Sequence, residues 1–169
     1  GKFINNISLI VESHKTTNVC FGMKKKIYLN KIDKKYLENS LTDAKDLFKE
    51  NYKNEKIMHM VISKFRVDNK NYSSFEENII GENFYLELQF RSISNLSTTE
   101  INKSLEKYHI KIINYIDANY LKNLFDLENM EITEMAHKAK IGFNLNEVKL
   151  VPKNIKKTGY FERFFQLFS

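Results

Sequence analysis

Ile57–Asn69, IMHMVISKFRVDN, and Asn83–Ser92, NFYLELQFRS, decide the fold of this 169-residue chain. The first stretch is rich in β-branched and apolar residues and ends in Phe65-Arg66-Val67-Asp68, which reads as a strand entering a turn. In the second, Phe84, Leu86, Leu88 and Phe90 alternate with Tyr85, Glu87, Gln89 and Arg91, so one face is core and the other is wet. Tyr72–Asn83 between them is a polar, acidic loop with no strong periodicity, and it holds Gly81.

Outward from this pair, Ile7–Val11 is a short β-branched strand. Thr16–Phe21 and Lys26–Leu29 flank Gly22 and read as a hairpin or a bulged pair. Asp33 is a helix N-cap, and Leu37, Leu41, Ala44 and Phe48 recur behind it at helical spacing, with Leu47 beside them, up to about Tyr52–Asn54. Ser97-Thr98-Thr99-Glu100 has the form of a capping box, predicting a second helix with Ile101, Leu105 and Tyr108 on its inner face. Lys111–Ile116 is the last strand, Ala118–Phe125 a short helix, Glu131–Lys140 a helix stopped by Gly142, and Asn144–Pro152 extended. The expected class is α+β, with two helices packed on one face of a small antiparallel or mixed sheet.

His59, Val61, Phe65, Val67, Asp68, Gly81, Leu86 and Glu87 stand in an order and spacing that resembles the inserted subdomain, called 1C, of the FtsA family of bacterial actin-like cell-division proteins. The likeness runs from about Ile7 to about Phe125; Ser63 departs from it, standing where the family carries proline. Glu134–Phe143 resembles, more distantly, a region near the family's C-terminus. The resemblance implies a domain over residues 1–125, a connector over 126–152, and a basic linker with an amphipathic helix over 153–169. It also implies a non-catalytic module of the division machinery that contacts other copies of itself in a polymer and other division proteins. In the family, ATP and the tubulin-like partner FtsZ bind subdomains that have no counterpart here. The expected location is the cytoplasm, peripheral on the inner face of the cell membrane. The chain begins with Gly1, and its expected status is part of a longer product.

Composition narrows the chemistry. With 5 glycines the chain has no Gly-rich phosphate loop, which argues against nucleotide binding; together with what the resemblance implies, no cofactor and no catalytic residue is expected in it. The histidines have no metal-ligand spacing, so no metal is expected either; His59, mid-strand between two methionines, reads as structural. Cys20 is the only cysteine, which suits a reducing compartment. Asp68 reads as the cap of its turn. The net charge of +6 comes almost wholly from lysine, with only Arg66, Arg91 and Arg163 as arginines. Lysine excess favours anionic surfaces in general over bidentate phosphate recognition.

Two sets of candidate binding residues follow. Phe161, Phe164, Phe165 and Phe168 fall within about 100° of arc on a helix, with Tyr160 and Leu167 flanking them and Lys153, Lys156 and Lys157 upstream. That is the pattern of a helix lying on an anionic membrane surface, as at the end of FtsA; the other reading is a terminal helix that docks on the domain's own core. The second set, Tyr72, Phe75, Glu76, Glu77 and Tyr85, is a candidate partner surface. A small basic nucleic-acid-binding module is the alternative function; Tyr85 and Arg91 are its nearest stacking and charged candidates, but no RNA-recognition-type aromatic strand motif occurs, and no nucleic acid is expected.

Overall fold

The structure is a computed structural model that describes residues 4–28, 31–73, 79–126 and 129–148. The chain is α+β. Its described residues form two compact units that interleave in sequence: the first draws on stretches within 4–18, 54–59 and 91–144, the second on stretches within 19–53, 60–90 and 145–148. Long strands β2 (Thr17–Lys26), β4 (Glu55–Val67) and β7 (Asn83–Ser94) carry residues of both.

In the second unit a four-stranded sheet has the order β2-β7-β4-β5, with β5 at Lys70–Tyr72. The alternation in β7 sets its two faces. Phe84, Leu86, Leu88 and Phe90 are completely buried, and Tyr85, Glu87 and Gln89 are half-buried on the other side. Helix α1 (Lys34–Asn51) covers the apolar face. Its stripe of Leu37, Leu41, Ala44 and Phe48 is buried, and Phe48 stacks on Phe90 with ring centroids 4.7 Å apart, beside Phe21 of β2. Asp33 caps this helix as expected, accepting a hydrogen bond from Tyr36 N–H at 2.8 Å. Leu47 lies off the stripe and is exposed. A short antiparallel pair, β3 (Lys31–Ile32) with β6 (Ile79–Ile80), completes the named strands, and Glu147 bridges to Val61 on β4.

In the first unit β1 (Asn6–Val11) pairs in parallel with β8 (Lys111–Asp117), with a register shift between Ile7 and Ser8. Three helices accompany it: α2 (Asn95–Glu106), α3 (Ala118–Leu124) and α4 (Ile132–Lys140), of which α3 packs on α4. Asp117 is a buried hub. One carboxylate oxygen accepts from Asn119 N–H and caps α3, and the other pairs with Arg91 Nη1, each at 2.9 Å. The Asp117 N–H donates to His59 Nε2 at 2.9 Å. An acceptor Nε2 places the proton of this neutral imidazole on Nδ1. His59 also lies against Tyr120, with ring centroids 4.1 Å apart.

Several expectations need correction. The described strands form three sheets where one was expected. Gly22 does not divide a hairpin: β2 runs through it, because it takes an exposed strand position beneath the Tyr85 ring. The loop after Tyr72 contains β6. Helix α2 starts before the capping box, at Asn95, capped by Ser94, and the hydroxyls of Thr98 and Thr99 bond back to Asn95 O within the helix. Tyr108 is 72% exposed, because the helix ends at Glu106 and the turn through His109 (φ 56°) redirects the chain. Arg91 is not a free cation on a wet face; it is spent on Asp117.

Leu88→Ala is expected to destabilise the fold by about 2–5 kcal/mol in urea unfolding, and Tyr85→Ala by much less. Equal losses would show that the two faces of β7 have been misassigned.

Candidate functional site

The conspicuous polar construction among the described residues is the outer face of the four-stranded sheet and the turn at its edge. It begins with Asp68, in the left-handed region at φ 50°, a conformation that Asp tolerates. Its carboxylate accepts from Asn83 N–H at 2.9 Å, from Glu82 N–H at 3.2 Å and from Asn83 Nδ2 at 3.3 Å. Its own N–H donates to Asn83 O at 2.7 Å. Gly81 closes the turn. A Cβ there would lie 2.3 Å from Val67 Cγ1 and 2.7 Å from Asp68 Oδ2, so no side chain fits. Phe65-x-Val67-Asp68 and Gly81, the residues that drew attention in the sequence, are therefore a self-contained clamp that sets where β7 starts.

The hydrogen bond from the Asn83 backbone, helped by those from the Asn83 side chain and the Glu82 backbone, holds the Asp68 carboxyl below its ordinary range, against a smaller upward effect of desolvation.

Beyond the clamp, Tyr85 lies over Gly22, where a Cβ would meet the phenol oxygen at 3.0 Å. Its hydroxyl donates to Glu87 Oε2 at 3.0 Å, and Ser63 Oγ donates to Glu87 Oε1 at 2.9 Å and to Glu87 O at 3.1 Å. These bonds, from Ser63 first and then Tyr85, keep the Glu87 carboxyl low, with a smaller contribution from Lys64, while the bond to Glu87 pushes the Tyr85 phenol up. The Arg66 guanidinium sits over the Tyr85 ring, 5.2 Å from its centroid. Lys24, Arg66, Asp68, Asn69, Asn83 and Tyr85 line an open cleft of about 310 Å³.

Tyr72 and Tyr85, both candidates for a partner surface, are not brought together. Tyr72 is directly opposite Phe65 across β4 and β5, ring against ring at 5.5 Å, and so shares the Phe65 face. Tyr85 faces the other way. Phe75, Glu76 and Glu77 lie outside the described residues, as do Lys153, Lys156, Lys157, Tyr160, Phe161, Phe164, Phe165, Leu167 and Phe168. The sequence reading missed Lys24, Arg66 and Asn69; the alternation of β4 and β2 across Gly22 was the signal available for the first two. Ser63 uses its hydroxyl to hold Glu87.

No metal-binding cluster of His, Cys, Asp or Glu occurs among the described residues. No described helix is long and apolar enough to cross a membrane. A scan of the sequence against models of protein families gives no match, and no curated protein is significantly similar to it.

Two outcomes test the clamp. Gly81→Ala is expected to cost about 1–3 kcal/mol of stability, through displacement of Val67 or of the Asp68 carboxylate; a wild-type melting curve would refute the close approach. For Asp68, a depressed folded pKa means stabilisation that is complete above the ordinary carboxylate range and lost as the pH falls through it. Asp68→Asn should therefore be less stable than wild type near neutrality, and the gap should narrow below about pH 4. A gap independent of pH would refute a charged clamp.

Proposed function

We propose that this chain is a non-catalytic interaction module of an FtsA-like cell-division assembly. Its α+β part contacts other copies and division proteins, and residues 153–169 hold it to the inner, anionic face of the cytoplasmic membrane. The observation that carries this reading is the Phe65-x-Val67-Asp68 turn closed on Gly81. Of the residues by which the sequence resembles the family, Gly81 and Asp68 are held to their identities by local geometry, and the elements run strand, strand, helix, strand, strand, helix, strand up to β8 once the two-to-three-residue strands are set aside. The outer face around Tyr85 supplies the partner surface: an aromatic ring with charged groups held in place around it, the composition typical of interface anchors.

Magnitudes favour a weak, reversible membrane tether. A fully buried phenylalanine is worth roughly 1.5–3 kcal/mol, and insertion at an interface about half of that. Each lysine near an anionic leaflet adds about 1 kcal/mol. Against this stands the cost of ordering a helix that, by itself, is marginal at this length. A single copy binds poorly, and a polymer presenting many copies binds well through effective concentration, which suits a cytoskeletal tether.

Co-sedimentation with anionic vesicles tests this reading. Phe164→Glu places a charge in the apolar stripe and is expected to abolish vesicle binding without moving the melting temperature. Replacing Lys156 and Lys157 with alanine should weaken binding only in part, and high salt should mimic it, since exposed charges are screened within about 10 Å at 0.1 M salt. A lowered melting temperature with unchanged vesicle binding would assign the tail to the core and overturn the membrane tether.

A further inference from the structure

The cleft beside Tyr85 has the chemistry of a binding site, not of a solvated strand face. Arg66 Nε is buried and has no hydrogen-bond partner. An unpaired buried donor of a cationic group is expensive, and proteins supply it with a water, an ion or a ligand. Among the described residues the nearby carboxylates do not meet this need. Asp68 directs its oxygens to the backbone of Glu82 and Asn83, and Glu87 is held by Ser63, Tyr85 and, at 3.8 Å, Lys64. Among the described residues Arg66 and Lys24 form no ion pair. Two cations therefore line the same cleft of about 310 Å³ with one carboxylate, Asp68, whose oxygens are turned to the backbone, next to the amides of Asn69 and Asn83. The guanidinium is also fixed in orientation, since it lies over the Tyr85 ring and that ring is held by Gly22 below and Glu87 at its hydroxyl.

We propose that this cleft binds a carboxylate, either the acidic side chain of a partner segment or a free small acid, with Arg66 as its main contact and Lys24 as the second charge. A guanidinium held by stacking offers its N–H groups edge-on, which matches a planar carboxylate through two parallel hydrogen bonds. Charge selects against a phosphate dianion. Lys24 and Arg66 with Asp68 give the lining a net charge of +1, which a monoanion neutralises; a dianion would leave excess negative charge beside Asp68. The cleft is at the small end of ligand pockets, enough for one acidic side chain or a small acid. Naming the ligand class deepens the assignment of the Tyr85 face as a partner surface and rests on it for the acidic segment; the carboxylate chemistry rests on the cleft alone.

The test is a titration of the whole, unaltered chain followed by its arginine side-chain Nε–H resonances. The sequence holds three arginines, and Arg66→Lys identifies the resonance in question. Sodium acetate, sodium phosphate and a hexaglutamate peptide are added separately at constant ionic strength. Acetate and the peptide are each expected to shift the Arg66 resonance to saturation, acetate with a midpoint of about 1–10 mM, the range of a single charge-assisted contact. Arg91 Nε is likewise buried without a partner, but Arg91 does not line the cleft and is paired with Asp117 through Nη1, so its resonance should stay in place. A peptide midpoint at least about ten-fold below that of acetate assigns the site to an acidic segment, and equal midpoints per carboxylate assign it to a free acid. Lys24→Ala should raise the midpoint several-fold while the chain still melts like the wild type. A shift that never saturates, saturation by phosphate without acetate, or movement of Arg91 alongside Arg66 would each overturn the proposal. Vesicle binding reports on the tail and the Arg66 resonance on the cleft, so this inference and the membrane tether fail separately.

Discussion

The register of β7 is the constraint on which the second unit depends. Side chains on a strand alternate with period two, so a slip of one residue would carry Phe84, Leu86, Leu88 and Phe90 from the core to the wet face. The Asp68 carboxylate prevents this by gripping the first backbone N–H groups of the strand, and Gly81 allows the grip by leaving room for Val67. Helix α1 then has one place to lie. Its stripe ends in Phe48, which meets Phe90 in a near-parallel stack, 18° between ring planes. On the opposite face the same register puts Tyr85 over Gly22 and within reach of Glu87, so the core and the polar cleft are fixed by one turn.

The first unit is organised by charge instead. Asp117 ends β8, caps α3 and pairs with Arg91, and the side chain of Asp117 is 1% exposed. An ion pair this deep adds little net stability compared with a well-packed apolar pair, but removing one partner leaves an uncompensated charge and typically costs about 3–5 kcal/mol. Its contribution is to specificity. The N–H of Asp117 bonds to a neutral imidazole at His59, so strand end, helix start and histidine tautomer are set together.

Much of this was legible in the sequence because it depends on short-range periodicity. The alternation of Phe84–Arg91 and the stripe of α1 with its Asp33 cap follow from spacing, and the other three described helices were expected near where they stand, α2 with a later start. Partners are a different matter. Nothing in Ile7–Val11 or Lys111–Ile116 says that the two strands pair with each other and leave the larger sheet to other strands. The capping box at Ser97 misled because threonine hydroxyls serve equally well inside a helix, bonding back to Asn95. β4 hides its facing: Met60 and Ile62 are buried, Ser63 and Lys64 are both exposed, and Phe65 and Val67 are buried on the opposite parity, a phase shift of the kind a bulge accommodates. The cleft was invisible because Lys24 and Arg66 are far apart in sequence and ordinary as single residues.

The parallel pairing of β1 with β8 bears on how the chain is made. Ser8 and Asn114 face each other across this ladder 106 positions apart in sequence, and among the described strands β1 has no other partner. A ribosome delivers Asn6–Val11 about a hundred residues before Asp117. For that interval β1 is a short β-branched strand with both edges open, the kind of segment that recruits wrong partners. The second unit draws on residues 19–53 and 60–90 before any of β8 exists. The buried stripe of α1 can therefore close on β7 first, and the pairing of β1 with β8 follows it.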